Sequence, residues 1–419
     1  MGYIPSLGSF VRVVGGVLAV SLISTAGLLY RYQTSLIYPS SFPAGSKAEV
    51  NTPDEYDLPY IEEELITPDS QRLRIFVMLQ GTKLAARRPT QRIREVTDED
   101  EKLSSQPVER KSTPTQTGIT PLDVVDAELA SKRPTVLFLH ANAGNMGHRL
   151  PLAAVFFKRF GCNVIMLSYR GYGFSSGSPN ERGIKIDTQT TLDYVRSHPA
   201  LSSTILVAYG QSIGGAVAID LAARNPASVH ALILENTFLS IPELIPHVLP
   251  PVRPFAFLCR EYWNSAVAIT KVSSKVPALF LSGRQDELVP PPHMDALFAK
   301  CNSSVKLKKD FADGTHNDTC IKPGYFEAIG EFLLAHVVTL VNGKSSAAAA
   351  AGGGAAVEKE KEHHGDKAKS ATKEPSSSDE SSDDWVQMSH SEVKDEVGKA
   401  KKLAQDADAP TLSKVPTKL

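Results

Sequence analysis

The stretch that most constrains the fold is 204–216, Thr-Ile-Leu-Val-Ala-Tyr-Gly-Gln-Ser-Ile-Gly-Gly-Ala. A short β-branched apolar run meets a Gly-x-Ser-x-Gly turn and then a helix start rich in small residues. That order is a nucleophile elbow: a strand delivers Ser212 onto a strained turn that exposes its hydroxyl. Gly210 and Gly214 let the strand and helix backbones approach closely. Ser212 is therefore the candidate nucleophile. The competing reading is a glycine-rich strand-to-helix turn carrying a passive serine.

An elbow of this kind needs a parallel sheet around it, and from residue 134 the texture supplies one. Short runs apolar on both sides, at 135–139, 163–168, 205–208, 231–234 and 278–282, read as buried parallel strands. Helical patterns fall between them, at 186–196 and 216–224, and a final strand at 305–309 precedes a helix near 324–339. Strand and helix alternating with right-handed crossovers give an α/β class fold with a doubly wound, mostly parallel sheet. Function then belongs at the carboxyl ends of the strands. Upstream, 60–67 and 72–79 flank Pro68, Asp69 and Ser70 and read as a β-hairpin.

A serine hydroxyl is a weak nucleophile until a base takes its proton, and that base needs an acid to hold its tautomer. In this topology the partners follow the serine in the order acid, then histidine. Asp286 lies in the loop after the strand at 278–282. His316 lies in Asp-Gly-Thr-His-Asn-Asp-Thr (313–319), between the final strand and the final helix. As passive residues, Asp286 would be a loop-capping carboxylate and His316 a surface loop residue. Glu235 is the fallback acid and Glu287 a weaker rival. A tetrahedral oxyanion also needs fixed donors. The Ile213 N–H follows the nucleophile, and the Asn142 N–H lies in His-Ala-Asn-Ala-Gly-Asn (140–145), with Ala141 as its neighbour. His140 reads better as a buried brace for that loop than as a reactant. The loop 169–177 is glycine-rich without Gly-Lys-Ser/Thr, so it reads as a strand-to-helix turn and not a phosphate cradle.

Residues 239–263 break the rhythm with prolines and with Phe255, Phe257, Leu258, Tyr262 and Trp263. They make either a small cap with an acyl pocket or ordinary helices packed on the sheet. Between Arg12 and Arg31 lie 18 uncharged residues. That run suffices for one membrane-spanning helix, ending in Tyr30 and Tyr32, which suit an interface. A cleaved signal peptide is the rival, since Ser24, Thr25 and Ala26 resemble a cleavage site, but the apolar run continues through Leu28 and Leu29. Flanking charges do not fix the orientation.

The expected organisation is a membrane anchor at 1–38, a catalytic domain at 54–342 with a disordered insertion at about 82–132, and a disordered low-complexity tail at 343–419. Lys plus Arg number 45 and Asp plus Glu 46, so no global field invites nucleic acid. The four cysteines lack metal-site spacing and read as mostly buried thiols, with room for one disulfide if the domain lies in a lumen. No cofactor and no metal are expected, and the oligomeric state is open.

Taken together, the motifs 140–145, Tyr-Arg-Gly-Tyr-Gly (169–173), Tyr-Gly-Gln-Ser-Ile-Gly-Gly (209–215), Asp-Glu-Leu-Val-Pro-Pro (286–291), Gly-Thr-His-Asn (314–317) and Leu-Ile-Tyr-Pro-Ser (36–40) resemble a known group. It is the α/β-hydrolases, and within them the membrane-anchored bud-emergence family with its animal abhydrolase-domain relatives. The resemblance runs from residue 10 to 340 outside the insertion. It implies the α/β-hydrolase fold, a Ser212, Asp286, His316 triad and one N-terminal transmembrane segment. Ala141 stands where the common pattern has glycine. Some similar proteins cleave lysophospholipids or fatty acyl thioesters of proteins, so the expected partner is an acyl lipid or acylated protein.

The expected function is thus a serine hydrolase of acyl esters or thioesters, single-pass in the endoplasmic reticulum or another endomembrane. The alternative is a non-catalytic membrane scaffold in polarity or trafficking that keeps the fold. Asn302-Ser-Ser and Asn317-Asp-Thr are glycosylation sequons. A glycan beside His316 would obstruct the site, which favours a cytosolic domain or an unused sequon, whereas the resemblance implies a type II orientation.

Overall fold

Eight strands carry the architecture in the computed structural model, which describes residues 7–82 and 126–341. They are β1 (Ile61–Ile66), β2 (Arg72–Met78), β3 (Thr135–Leu139), β4 (Asn163–Ser168), β5 (Leu206–Gln211), β6 (Ala231–Glu235), β7 (Ala278–Gly283) and β8 (Lys306–Phe311). One sheet orders them β1-β2-β4-β3-β5-β6-β7-β8. The β1–β2 and β2–β4 pairs are antiparallel and the rest parallel. Strands β3 to β7 are buried at every residue, because helices cover both faces. The edge strands differ: β1 carries Glu62, Glu63 and Glu64, and β8 carries Lys306, Lys308 and Lys309, charges that suit an unpaired edge.

The helices are α1 (Leu7–Ile37), α2 (Ala127–Ser131), α3 (Leu150–Lys158), α4 (Glu181–Ser197), α5 (Ile213–Arg224), α6 (Ile241–Val248), α7 (Ser265–Ala268), α8 (Pro292–Lys300) and α9 (Tyr325–Phe332). Alternate strand residues feed two cores. Leu137, Leu167, Ala208 and Leu232 pack with α4 and α5 on one face, and Val136, Met166, Val207 and Ile233 with α3 and α9 on the other. After β3 the chain moves outward to β4, then crosses back past β3 to build β5 and the remaining strands. That reversal lies between β3 and β5, whose carboxyl ends are side by side, with Leu139 opposite Gly210.

All eight expected strands form; those at 135–139 and 163–168 have the expected bounds, and the ends of the others move by at most three residues. Strand β5 runs on to Gln211 because Tyr209, Gly210 and Gln211 continue the ladder to β6. Helix α5 begins at Ile213, ahead of the expected 216, with Gly214 and Gly215 already helical. The end of the expected insertion is a correction: residues 126–132 are folded. Asp126 caps α2, Ala130 is fully buried, and Asn163 Nδ2 donates to the Ala130 carbonyl at 2.8 Å. The remainder of the insertion and the expected tail lie outside the described residues.

Helix α1 is long and apolar enough, over Val11–Ile37, to cross a membrane. Its last turns are bound to the domain. Gln33 and Tyr38 are buried there, and Tyr38 Oη donates to Glu261 at 2.7 Å while accepting from Trp263 Nε1 at 2.8 Å. The segment 239–263, here called the cap, forms α6 and a 3-10 run, Pro250–Leu258, which lies against α1.

Candidate active site

Glycine chemistry at the elbow decides where Ser212 stands. A Cβ on Gly210 would lie 2.1 Å from the Gly214 carbonyl oxygen, and one on Gly214 would lie 2.0 Å from that of Leu139. Only hydrogen fits at either position, so helix α5 closes directly onto β5 and β3. The turn between them forces Ser212 to φ 56° and ψ −122°. A serine held there is strained by about 1–3 kcal/mol. The strain is locked in by backbone bonds: Ser212 N–H donates to the Glu235 carbonyl at 2.9 Å, and its own carbonyl accepts from Thr237 Oγ1 at 2.7 Å. The side chain sits at the carboxyl end of β5, 8% exposed.

His316 and Asp286 meet. His316 Nδ1 lies 2.8 Å from Asp286 Oδ2, with both side chains nearly buried. The other carboxylate oxygen accepts from the backbone N–H groups of Leu288 at 2.9 Å and Val289 at 2.7 Å. A carboxylate fixed in this way accepts the Nδ1 proton and leaves Nε2 with its lone pair free, the tautomer a general base requires. Among the described residues no hydrogen bond joins Ser212 Oγ to the His316 ring. What ties the two loops is the backbone: Gln211 Nε2 donates to the His316 carbonyl at 2.9 Å, and Asn236 Nδ2 does so at 3.3 Å.

The other carboxylates have different work. Glu235 is fully buried, and its Oε2 accepts from Tyr209 Oη and Tyr325 Oη at 2.5 Å each. Burial pushes its carboxyl above the ordinary range. It braces β6 against α9 and its carboxylate makes no bond to the His316 ring. Glu287 accepts from the His316 backbone N–H at 3.3 Å.

The Ile213 N–H lies in the first turn of α5, where the helix offers it no carbonyl and the positive dipole end faces the site. Asn142 is held at both ends, since its carbonyl accepts from Tyr172 Oη at 2.8 Å and its side-chain Nδ2 donates to the Ile37 carbonyl of α1 at 3.0 Å. His140 is a brace, as expected: Nδ1 is 2.7 Å from the Ala141 carbonyl, and the ring packs against Tyr169 at 4.1 Å. Burial drives its pKa down to about 3, so the ring is neutral. The loop after β4 is a scaffold too, with Arg170 clamped between Asp187 and Asp69.

Three supporting residues escaped the sequence reading. Asn236, at φ 45°, donates to Thr315, His316 and Thr319 and accepts from the Gly283 N–H at 2.8 Å, so it joins the ends of β6 and β7 to the histidine loop. Gln211 and Thr237 hold the backbones of His316 and Ser212. Their one signal in the sequence is position, directly at strand ends beside the elbow. All four cysteines are free thiols, three of them buried. Among the described residues no group of three or more His, Cys, Asp or Glu could hold a metal ion.

A family model for the alpha/beta hydrolase fold matches residues 134–256. Protein bem46 of Schizosaccharomyces pombe is 45% identical over 317 residues, which span 75% of this chain and 90% of that protein. The uncharacterized membrane protein YNL320W of Saccharomyces cerevisiae is 36% identical over 321 residues, 77% of this chain and 95% of that protein. Among solved structures, the Pyrococcus furiosus esterase Pf2001 aligns over 69% of this chain and 98% of its own, with 17% identity and a TM-score of 0.49. Identity that high, carried across nine tenths of a relative's length, means that the chain belongs to the bem46 family of proteins with the alpha/beta hydrolase fold.

Proposed function

We propose that this protein is a membrane-anchored serine hydrolase that cleaves acyl esters or thioesters of lipids or lipid-modified proteins. The observation that supports the reading is Ser212 at φ 56°, ψ −122° on the end of β5, with the adjoining Gln211 bonded to the carbonyl of His316, whose ring is hydrogen-bonded to Asp286. In the proposed reaction Ser212 Oγ attacks the acyl carbonyl while His316 Nε2 takes its proton. The Ile213 and Asn142 amides receive the resulting oxyanion. Collapse expels the alcohol or thiol, which leaves with the proton from His316, and an acyl-Ser212 remains. Water, deprotonated by His316, then releases the carboxylic acid and restores the serine. Asp286 keeps the imidazole in its working tautomer throughout.

Membrane attachment rests on the span at Val11–Ile37 and on kinship with a protein whose own name describes it as a membrane protein. That attachment supports a lipid or lipid-modified substrate in the proposal. The domain organisation proposed is an anchor at 1–38, a hydrolase domain at 54–342 interrupted between 82 and 126, and a tail at 343–419.

The test is turnover of p-nitrophenyl acyl esters and acyl thioesters by the full-length chain in detergent. Ser212→Ala and His316→Ala are expected to lower kcat by about 10³-fold or more. Turnover that survives in Ser212→Ala would overturn the assignment. An inactive native chain would leave the scaffold reading standing.

A further inference from the structure

We propose that the cap edge 249–262 is a second membrane contact, lying in the interface of the leaflet that α1 leaves and inserting Phe257 among the lipid headgroups. The inference depends on α1 crossing a bilayer and is independent of the catalytic reading.

The height of this edge follows from the length of the span. The uncharged run between Arg12 and Arg31 has 18 residues, roughly 27 Å of helix at about 1.5 Å per residue. A hydrocarbon core is about 30 Å thick. The run is barely long enough, so Leu29 and Tyr30 lie at the core boundary and Gln33 in the headgroup layer. The cap is fixed to those same residues. Gln33 Nε2 donates to the Leu258 carbonyl at 3.3 Å, and Arg260 N–H donates to Gln33 Oε1 at 2.6 Å. Arg260 also donates to the Tyr30 carbonyl at 3.1 Å and stacks over the Tyr30 ring at 4.4 Å. Leu29 and Leu36 of the span face Val252 and Phe255 of the cap across an apolar trough. A rigid wall bonded to Tyr30 and Gln33 shares their depth.

The chemistry of the edge fits that depth. Phe257 is 78% exposed, and Val248, Leu249 and Tyr262 are 41%, 42% and 51% exposed. Four large apolar side chains are thus exposed within the 15 residues 248–262, and large exposed apolar surface marks a membrane or protein contact. The charged residues interspersed with them are basic: Arg253 and Arg260 are exposed, and 249–260 contains no acid. Glu261, the first acidic residue, is buried and bonded to Tyr38 and to the Glu181 N–H. Apolar and aromatic side chains flanked by arginine are the composition of an interfacial segment, with guanidinium groups on lipid phosphates.

The experiment reconstitutes the full chain into vesicles of phosphatidylcholine with brominated acyl chains and measures tryptophan emission. The native chain has two tryptophans and sets the baseline. Leu22→Trp, in mid-span, reports insertion of α1. Phe257→Trp is expected to lose a larger fraction of its emission than the native chain, and less than Leu22→Trp, as a shallow site should. Tyr262→Trp, on the same edge, serves if the Phe257 variant does not fold. Emission from both edge variants that matches the baseline while Leu22→Trp is quenched would overturn the proposal. Absence of quenching in Leu22→Trp would overturn it as well, because the edge then has no leaflet to enter.

Discussion

At the scale of single residues, Ser212 occupies a backbone conformation that glycine adopts readily and serine does not. Ser212→Gly should therefore raise stability by about 1 kcal/mol while removing the proposed nucleophile. Chemical denaturation checks this, and a destabilised variant would contradict it. Arg170 is the opposite case. It is the counterion of fully buried Asp187, so Arg170→Ala should cost about 3–5 kcal/mol by stranding that carboxylate. A loss below about 1 kcal/mol in a denaturant titration would contradict that role.

His140 gives a pH dependence. Its folded pKa, about 3, lies below the ordinary 6.5. Between those values the unfolded chain binds a proton that the folded chain does not. Its contribution to stability is thus complete above about 6.5 and falls as the pH drops toward about 3. His140→Leu should flatten that acid limb, measured as the difference between unfolding free energies at pH 7 and pH 4.5. An unchanged slope would refute the buried neutral ring.

The strained turn at Ser212 and the His316–Asp286 pair were legible in the sequence. Flanking glycines marked Ser212, and loops after the last strands marked Asp286 and His316, the three residues to which the proposal gives catalytic roles. Asn236 carried no such mark, because an asparagine after a strand looks like any turn residue. Its value arises only when β6, β7 and the histidine loop meet in space.

At the scale of elements, the close approach of β3, β5 and α5 is the feature on which the site geometry depends. Gly214→Ala would place a methyl 2.0 Å from the Leu139 carbonyl, which belongs to rigid backbone. The variant is expected to lose at least about 3 kcal/mol or fail to fold, read from soluble yield and thermal melting. Near-native melting would show that α5 can retreat from the sheet. The buried strands were readable because each is an apolar run enclosed on both faces, whereas their ends are set by ladder partners that periodicity does not reveal. The cap was not readable in the same way. Its apolar residues allowed either a pocket or ordinary packing, and the element they pack against, α1, lies more than two hundred residues earlier in the chain.

Asn142 couples α1 to the loop proposed to hold the oxyanion. Asn142→Ala keeps the backbone amide and removes the bond to Ile37, so it should lower kcat more than it raises KM, while costing about 0.5–1.5 kcal/mol in stability. A rise in KM alone would assign the residue to substrate binding.

At the scale of the whole molecule, α1, the cap and the face that carries Ser212 form one connected body. Tyr38, Glu261, Trp263 and Glu181 bond the end of α1 to the cap and to α4, while Asn142 and Gly144 bond residues 37 and 42 to the loop after β3. Fold class was legible at this scale because strand and helix alternate with the elbow in their midst. The attachment of α1 to the domain was not legible, since no local pattern records a contact between residue 33 and residue 258.

In the proposed reaction the hydroxyl of Ser212 is made reactive by His316 and Asp286. Treating the detergent-solubilised full chain with a fluorophosphonate and mapping the adduct by peptide mass spectrometry tests this. One phosphonylated residue, Ser212, is expected, formed quickly in the native chain and slowed by orders of magnitude in His316→Ala. An adduct on another residue, or a native chain that labels no faster than His316→Ala, would contradict it.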